Sequence, residues 1–158
     1  NGCQLMAAMD MIYPEHQKKI EMRQNESGKF ESAFIAVEIQ PTKSVLLKDL
    51  VGSHLGIWIA HGEGRFLLPE GEDSYDIPIR YSTSEYPANP NGADFNAAAV
   101  VSADGRHLAM MPHLERAILP WQWPYYISYD ARKQHELSPW ILAFRSAKEW
   151  VSKKTKRL

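Results

Sequence analysis

The sequence predicts an α/β fold, and three observations support this prediction. Short runs rich in Ile, Val, Ala and Phe, which favour strands, recur between turn segments and apolar patterns of helical spacing. At the start of the chain a glycine-containing turn leads directly into such a helical pattern, an arrangement that usually follows a strand in α/β proteins. Three polar clusters stand where predicted strands give way to loops, and open α/β sheets bind ligands at such strand ends.

Length and charge predict one ordinary soluble domain. The chain has 158 residues, a formal net charge of −1 and no linker long enough to divide two domains. The near-neutral balance argues against broad electrostatic binding to nucleic acid or membranes. Apolar runs such as Ala97–Val101 are far shorter than the roughly 20 residues that a membrane-spanning helix needs. Cys3 is the single cysteine and cannot form an internal disulfide, so we expect a reducing, cytoplasmic location.

The first part of the chain predicts two helices and two strands. Leu5, Met6, Met9 and Ile12 keep roughly helical spacing, which predicts a helix over residues 4–12 before Pro14. A polar, solvated connection follows it. The further elements of this part are a strand over residues 30–39, a short helix over 44–50 with Ser44 as its N-cap, and a strand over 56–60.

The second part predicts mainly strands and a closing helix. Asp104-Gly105 is a strong hairpin signal between strands over residues 97–102 and 106–111. Pro78 lacks an N–H group, so we expect the strand over 77–81 at a sheet edge. A short strand is also predicted over 65–68. The closing helix is predicted over 140–152, with an apolar face of Ile141, Phe144, Ala147 and Val151.

Three clusters are candidates for chemistry: Asn1-Gly2-Cys3-Gln4, His61-Gly62-Glu63-Gly64-Arg65 and Pro112-His113-Leu114-Glu115-Arg116. His113 and Glu115 are two residues apart, a spacing that puts both side chains on one side of an extended segment. A carboxylate there can orient the imidazole, which is the base and orienter half of a nucleophilic triad, although this pattern alone is weak. No second cysteine and no histidine pair at ligand spacing are present, so no metal site is predicted.

Five motifs in register resemble one family. The chain is similar over essentially its whole length to the C-terminal class I glutamine amidotransferase domain of the large, single-chain form of phosphoribosylformylglycinamidine synthase. The resemblance implies a flavodoxin-like α/β fold whose N-terminal part is missing, with residues 1–158 as the C-terminal portion of the domain. The motifs are Asn1-Gly2-Cys3-Gln4-Leu5-Met6, Ser27-Gly28-Lys29-Phe30-Glu31-Ser32, Trp58-Ile59-Ala60-His61-Gly62-Glu63-Gly64, Tyr86-Pro87-Ala88-Asn89-Pro90-Asn91-Gly92 and Met110-Met111-Pro112-His113-Leu114-Glu115-Arg116.

The resemblance also implies an activity. Such domains hydrolyse glutamine through a cysteine thioester, and the ammonia serves the ATP-dependent amidation of formylglycinamide ribonucleotide in purine biosynthesis. His113 matches the family's catalytic histidine, Glu115 the carboxylate that orients it, and Gln4 a residue near the bound glutamine. The stretch whose backbone lies along the substrate is matched by Ala60, His61, Gly62 and Glu63. For His61 we expect this main-chain role rather than a chemical role of the ring.

The nucleophile is not among these residues. In the related motif G-V-C-N-G-C-Q the reactive cysteine precedes the position of Asn1, and Cys3 occupies the second cysteine position. Helical spacing puts Cys3 on the buried side of the helix, so we expect a structural cysteine. Two departures from the family pattern are Leu114, where a proline is usual, and Ala33, near a common arginine.

Partners follow from the resemblance as expectations. Glutamine is the expected substrate, and a synthetase domain of the same polypeptide, absent here, is expected to hold ATP and Mg, with no cofactor in this chain. An unpaired sheet edge would favour self-association of the truncated chain. An alternative function is a catalytically silent fragment or interaction module that keeps the fold. A cysteine immediately before Asn1 in the parent polypeptide would support the glutaminase activity over this alternative.

Overall fold

The computed structural model describes residues 1–126 and 128–155 and has a mixed α/β architecture, as the sequence predicts. Short 3₁₀ turns connect several of the elements. The helices are α1 (Gly2–Ala8), α2 (Tyr129–Gln134) and α3 (Ile141–Thr155). The strands are β1 (Glu21–Arg23), β2 (Glu31–Ile39), β3 (His54–His61), β4 (Arg65–Leu67), β5 (Asp76–Tyr81), β6 (Ala97–Val101) and β7 (Leu108–Met110).

The main sheet has five strands in the order β3-β2-β5-β6-β7, and every neighbouring pair is antiparallel. Four successive reversals give the two outer strands, β3 and β7, the same direction, so their carboxyl ends lie toward the same edge of the sheet. The sheet curls, because the segment after β7 returns to β3. His113 N–H donates to the Trp58 carbonyl at 2.8 Å, and these two residues form an isolated bridge.

The longest strand pair, β2 with β3, places the first functional loop. Its register runs from Glu31 opposite His61 to Glu38 opposite His54. A glycine is required in the middle, since a Cβ at Gly56 would lie 2.3 Å from the ring of Phe34. The loop that follows His61 therefore begins directly beside the first residue of β2.

A two-stranded sheet of β1 and β4 lies in the segment predicted as a polar connection and in the predicted strand over 65–68. Glu21 pairs with Leu67 and Arg23 with Arg65, so residues just after β1 are held near the loop between β3 and β4. Asn25 N–H donates to the Gly62 carbonyl at 2.8 Å. Because this connection is polar in composition, its sequence indicated neither β1 nor the burial of Asn25.

The predicted hairpin is confirmed between β6 and β7. Gly105 has a φ of 75°, and a side chain there would also meet the Lys43 carbonyl, so glycine is needed on both grounds. β6 is buried along its whole length, as its Ala and Val residues favour. β7 begins at Leu108, two residues later than predicted, because the Ser102 and Asp104 side chains hold residues 106 and 107 within the turn.

The predicted helix over 4–12 is wrong at its end. α1 stops at Ala8 in a Schellman motif: Asp10 N–H donates to the Ala7 carbonyl and Met11 N–H to the Met6 carbonyl. Asp10 adopts a φ of 53°. Glycine is the usual residue at that position, so the sequence carried no clear stop signal before Pro14. Leu5 and Met9 are 58% and 63% exposed, so the predicted apolar face is not buried as a unit.

The predicted edge position of residues 77–81 is also wrong. β5 lies between β2 and β6, in the interior of the sheet. The register with β6 shifts between Asp76 and Ile79, so Pro78 stands where the ladder is irregular and no N–H donor is required. On the other side its carbonyl accepts from Gln40 N–H at 2.9 Å.

Two further helix predictions are corrected. Residues 44–50 form only a 3₁₀ turn at Lys48–Leu50, and Ser44 caps no helix. Phe144 and Val151 of α3 are exposed, whereas the buried face consists of Ala143, Ser146 and Trp140, the last of which immediately precedes the helix. The Trp140 indole donates to the Gly56 carbonyl and Ser146 donates to Asp49, and these two hydrogen bonds turn the helix by about one residue from the predicted face.

Candidate functional site

The three polar clusters of the sequence meet at one pocket of about 490 Å³. The start of α1, the end of β3 with its loop, and the end of β7 with its following segment each form one wall. The pocket is lined by Asn1, Gly2, Cys3, Gln4, Phe30, Ala60, His61, Gly62, Glu63, Met110, Met111 and His113.

Hydrogen bonds between distant segments hold these walls together. The Cys3 thiol donates to the Met110 carbonyl at 3.1 Å, which ties α1 to β7. The Gln4 side-chain amide donates to the Glu63 carbonyl at 3.0 Å, which ties α1 to the loop after β3. The start of α1 therefore takes its position from both of the other walls.

His113 and Glu115 form a pair at this pocket. Nδ1 of His113 lies 2.8 Å from Oε1 of Glu115, a short distance that fits a charge-assisted hydrogen bond from the imidazole to the carboxylate. His113 lines the pocket and its side chain is about one-third exposed, at 32%. With Nδ1 engaged, Nε2 is the nitrogen available for proton transfer. The chemistry of this pair is that of a general base with a carboxylate orienter.

The loop after β3 is fixed by a residue that the sequence analysis missed. Asn25 is buried, and its side-chain amide donates to the carbonyls of Lys29 at 2.8 Å and His61 at 2.7 Å. Its Oδ1 accepts from Gly64 N–H at 3.0 Å. A lone asparagine in a polar stretch carries no pattern that would single it out, and only its place beside the loop does so.

His61 lies in the wall of the pocket with its ring buried. Its Nδ1 is 3.0 Å from Oδ1 of Asn25, and among the described residues its Nε2 has no hydrogen-bond partner. Burial lowers the pKa of His61 below the ordinary histidine value, and the neighbouring His113 acts in the same direction. A hydrogen bond to the backbone of His61 itself and, with less effect, Glu31 act in the opposite direction, but burial outweighs both and the ring is held neutral.

Two glycines of this loop serve different purposes. A Cβ at Gly64 would lie 2.5 Å from Nδ1 of His61, so the ring can pack against the chain only because residue 64 is glycine. A Cβ at Gly62 would meet only Phe30, at an ordinary 3.7 Å. The protein's own packing therefore requires glycine at 64, while the space at Gly62 opens into the pocket.

Cys3 is buried, as predicted, at 9% exposure. Burial raises the pKa of its thiol above the ordinary value. Because the thiolate is the nucleophilic form, the structure makes Cys3 a poor nucleophile.

The structure thus gathers six of the seven predicted site residues in the pocket wall. Glu115 is the exception, since it stands behind His113 and contacts the ring rather than the pocket. Within the described part of the chain, no group of three or more His, Cys, Asp or Glu residues is arranged to hold a metal ion. Residues 1–126 and 128–155 also contain no helix that is long and apolar enough to cross a membrane.

Comparison with known proteins gives a consistent family. The CobB/CobQ-like glutamine amidotransferase domain matches residues 1–151. Curated relatives include the probable phosphoribosylformylglycinamidine synthase, chloroplastic/mitochondrial, of Arabidopsis thaliana, 43% identical over 96% of this chain, and the phosphoribosylformylglycinamidine synthase of Dictyostelium discoideum, 42% identical over 95%. The enzyme of that name from Homo sapiens is 34% identical over 96% of the chain.

The chain spans only about an eighth of the length of these relatives, 12% to 13%. A solved chain of PurLQS from Thermotoga maritima has the same fold, with a TM-score of 0.65 and 23% identity, over 94% of this chain and 58% of that one. The family match and the fold agree with the five motifs and with the geometry of the pocket. The chain therefore belongs to the family of CobB/CobQ-like glutamine amidotransferase domains.

Proposed function

We propose that this chain is the glutaminase part of a phosphoribosylformylglycinamidine synthase. It hydrolyses glutamine and supplies ammonia for the ATP-dependent amidation of formylglycinamide ribonucleotide. The observation that carries the proposal is the 2.8 Å contact of Glu115 with His113, which lines the same pocket as the start of α1. The names of relatives 34% to 43% identical to this chain support the choice of this enzyme.

The nucleophile that we propose is a cysteine immediately before Asn1 in the parent polypeptide. Neighbouring Cα atoms are about 3.8 Å apart, and Asn1 and His113 both line the pocket, so we expect that residue near its rim. Cys3 is unsuited to the role, because its thiol is buried and bonded to the Met110 carbonyl. For the same reason, this chain taken alone has no glutaminase activity.

In the first half of the reaction, Nε2 of His113 takes the proton of the cysteine thiol. The thiolate attacks the carboxamide carbon of glutamine, and a tetrahedral intermediate forms. When the intermediate collapses, the C–N bond breaks and the imidazolium gives its proton to the departing nitrogen. Ammonia leaves and a thioester remains. Glu115 keeps the ring in place and stabilises its positive charge in this half.

In the second half, water replaces ammonia as the partner of His113. Nε2 takes a proton from the water while the water oxygen attacks the thioester carbon. The C–S bond then breaks, the proton returns to sulfur, and glutamate leaves with a free thiol behind it. The sum is glutamine plus water giving glutamate plus ammonia, and the chain is unchanged.

The remaining pocket residues bind the substrate. The backbone of Ala60, His61, Gly62 and Glu63 forms a strip along one wall, and Gln4 is held against the strip through the Glu63 carbonyl. The open space at Gly62 lets the main chain approach the amino-acid part of glutamine closely. These contacts position the carboxamide for attack and do no covalent chemistry.

The rest of the activity belongs to the parent polypeptide. We propose that a synthetase domain of that polypeptide holds ATP and Mg and receives the ammonia. We also propose a cytoplasmic location, whereas the name of the Arabidopsis relative gives chloroplast or mitochondrion for that protein. The exposed apolar side chains of α1, Leu5 and Met9, support the proposal that the isolated chain associates with itself.

The test compares two nitrogen donors in the full polypeptide. Synthesis of the amidine product is measured with glutamine and, separately, with added ammonium salt, before and after treatment with a glutamine-directed electrophile. We expect the electrophile to remove only the glutamine-dependent activity and to modify the residue before Asn1, as read by peptide mass spectrometry. A polypeptide that makes product from ammonia but never from glutamine would instead carry a silent amidotransferase fold.

A further inference from the structure

The hydrogen bonds of Asn25 determine which way its side-chain amide points. Nδ2 lies within hydrogen-bond distance of two carbonyl oxygens, those of Lys29 and His61, and carbonyl oxygens can only accept. The other terminal atom of the Asn25 side chain accepts a hydrogen bond from Gly64 N–H at 3.0 Å, so it must be the oxygen. The orientation of this amide follows from its partners and from no other assumption.

The same network determines the protonation of the His61 ring. Oδ1 of Asn25 can only accept, so Nδ1 of His61, at 3.0 Å, carries the proton. In a neutral ring, Nε2 is then an acceptor with a free lone pair. Burial keeps the ring neutral by lowering its pKa, and His113 adds to this effect; a hydrogen bond to the backbone of His61 itself and the charge of Glu31 oppose it but are outweighed.

This acceptor is buried without a partner in a residue of the pocket wall. His61 is 5% exposed and lines the pocket, and Nε2 has no hydrogen-bond partner within the described residues. A buried acceptor without a partner is costly, and native structures retain few of them. Nε2 is itself buried, so a substrate that uses it must displace part of the pocket wall. A donor that then reaches Nε2 relieves the cost, and the N–H groups of glutamine, its ammonium and its carboxamide, are donors of this kind.

We propose that Asn25 is a positioning residue that fixes His61 in its Nδ1–H tautomer, so that Nε2 accepts a hydrogen bond from an N–H group of the bound glutamine. The inference rests on the proposed glutaminase function and extends it to the ring of His61, for which the sequence indicated a main-chain role only. Asn25 acts on the substrate only through His61. His113 keeps the proton transfers, and His61 stays neutral throughout the reaction.

Asn25→Asp in the full polypeptide tests the tautomer. A carboxylate 3 Å from Nδ1 raises the pKa of His61, so the ring becomes charged near neutral pH and Nε2 becomes a donor. We expect the KM for glutamine at pH 7 to rise about tenfold, the value of one lost hydrogen bond, and to return toward the wild-type KM by pH 9. The wild-type KM should change little between pH 7 and 9. A KM that is raised equally at all pH values, or not at all, would overturn the proposal.

A second variant and a control keep the test decisive. His61→Phe keeps a ring but removes the acceptor, so the KM should rise about tenfold at every pH while kcat stays within about threefold. An unchanged KM in this variant would also overturn the proposal. Asn89→Asp makes the same substitution at another buried asparagine, one that holds residues 89–96 outside the pocket, and should give no pH-dependent KM.

Glutamate, the reaction product, identifies the donor. It carries the ammonium group but no carboxamide, so its inhibition constant should rise with the KM in Asn25→Asp when the ammonium is the donor. An unchanged inhibition constant with a raised KM assigns the carboxamide instead. Failure of the proposed function looks different, because the wild-type polypeptide would then make product from ammonia alone and give no KM for glutamine in any variant.

Discussion

His61 and His113 line the same pocket, and each directs Nδ1 at a side-chain oxygen, but the two oxygens differ in charge. His61 faces the amide of Asn25 inside the protein, and His113 faces the carboxylate of Glu115 at the surface. A neutral amide holds a ring in one tautomer without favouring its charged form, whereas a carboxylate stabilises the charged form as well. Two histidines in one pocket thus suit two tasks, hydrogen-bond acceptance and proton transfer.

The largest expected effect comes from His113→Ala in the full polypeptide. Removal of the proposed general base should lower glutamine-dependent kcat by about a thousandfold, within the range known for such groups, while synthesis from added ammonia stays within about twofold. Steady-state rates with the two nitrogen donors give the answer directly. His107→Ala is the matched control, because His107 also has an acidic neighbour, Asp104 at 3.9 Å, but lies outside the pocket. Equal loss of both activities would contradict the role of His113.

Glu115→Gln gives His113 an uncharged side-chain oxygen as its partner, as His61 already has in Asn25. The glutamine oxygen can still accept from Nδ1 of His113, but it no longer stabilises the imidazolium. We expect glutamine-dependent kcat to fall roughly tenfold to a hundredfold, as for the loss of one charge-assisted hydrogen bond. Glu38→Gln makes the same change in another His–Glu pair, with His54 at 3.6 Å and away from the pocket, and should leave kcat unchanged. A wild-type kcat in Glu115→Gln would mean that its charge plays no part.

Gly64→Ala disturbs His61. The added methyl group would lie 2.5 Å from Nδ1 of His61, so the ring must move away from Asn25. We expect the KM for glutamine to rise about fivefold to tenfold with a smaller change in kcat, since a hydrogen bond to substrate is lost but proton transfer is not. Gly71→Ala serves as control, because a Cβ there meets nothing within 4 Å. An effect on kcat alone would assign His61 to the chemistry rather than to binding.

The smallest effect is expected for Cys3→Ala. The thiol is buried, so its loss should reduce the free energy of unfolding by about 1 kcal/mol, while glutamine-dependent kcat stays within about twofold. Thermal unfolding and the two-donor assay measure these quantities. A kcat as low as that of His113→Ala would identify Cys3 as the nucleophile.

The raised pKa of the Cys3 thiol predicts how its reactivity depends on pH. Because the thiolate is the reactive form, alkylation of Cys3 by iodoacetamide should be slow at pH 8 and should accelerate as the pH rises further. The sign is the same for stability: the buried neutral thiol stabilises the fold below its unfolded pKa, and this contribution is lost at higher pH. Rapid modification at pH 7, read by mass spectrometry, would contradict the burial of this side chain.

The sequence determined the features that depend on neighbouring residues. The spacing of His113 and Glu115 predicted that they pair, and Asp104-Gly105 predicted the hairpin that leads to them. The strand patterns of β2, β3 and β6 were sufficient to locate these strands within two residues. Such features can be predicted because turn chemistry and side-chain alternation act within a few residues.

Only the tertiary structure decided the face of α3, the interior place of β5 and the role of Asn25. The Trp140 indole orients α3 through a carbonyl 84 residues away, and Pro78 is tolerated inside the sheet because of a register shift against β6. Asn25 lies 36 residues from the ring that it orients. Whether a buried polar atom has a partner depends on which segments the fold brings together, and a local pattern does not contain that information.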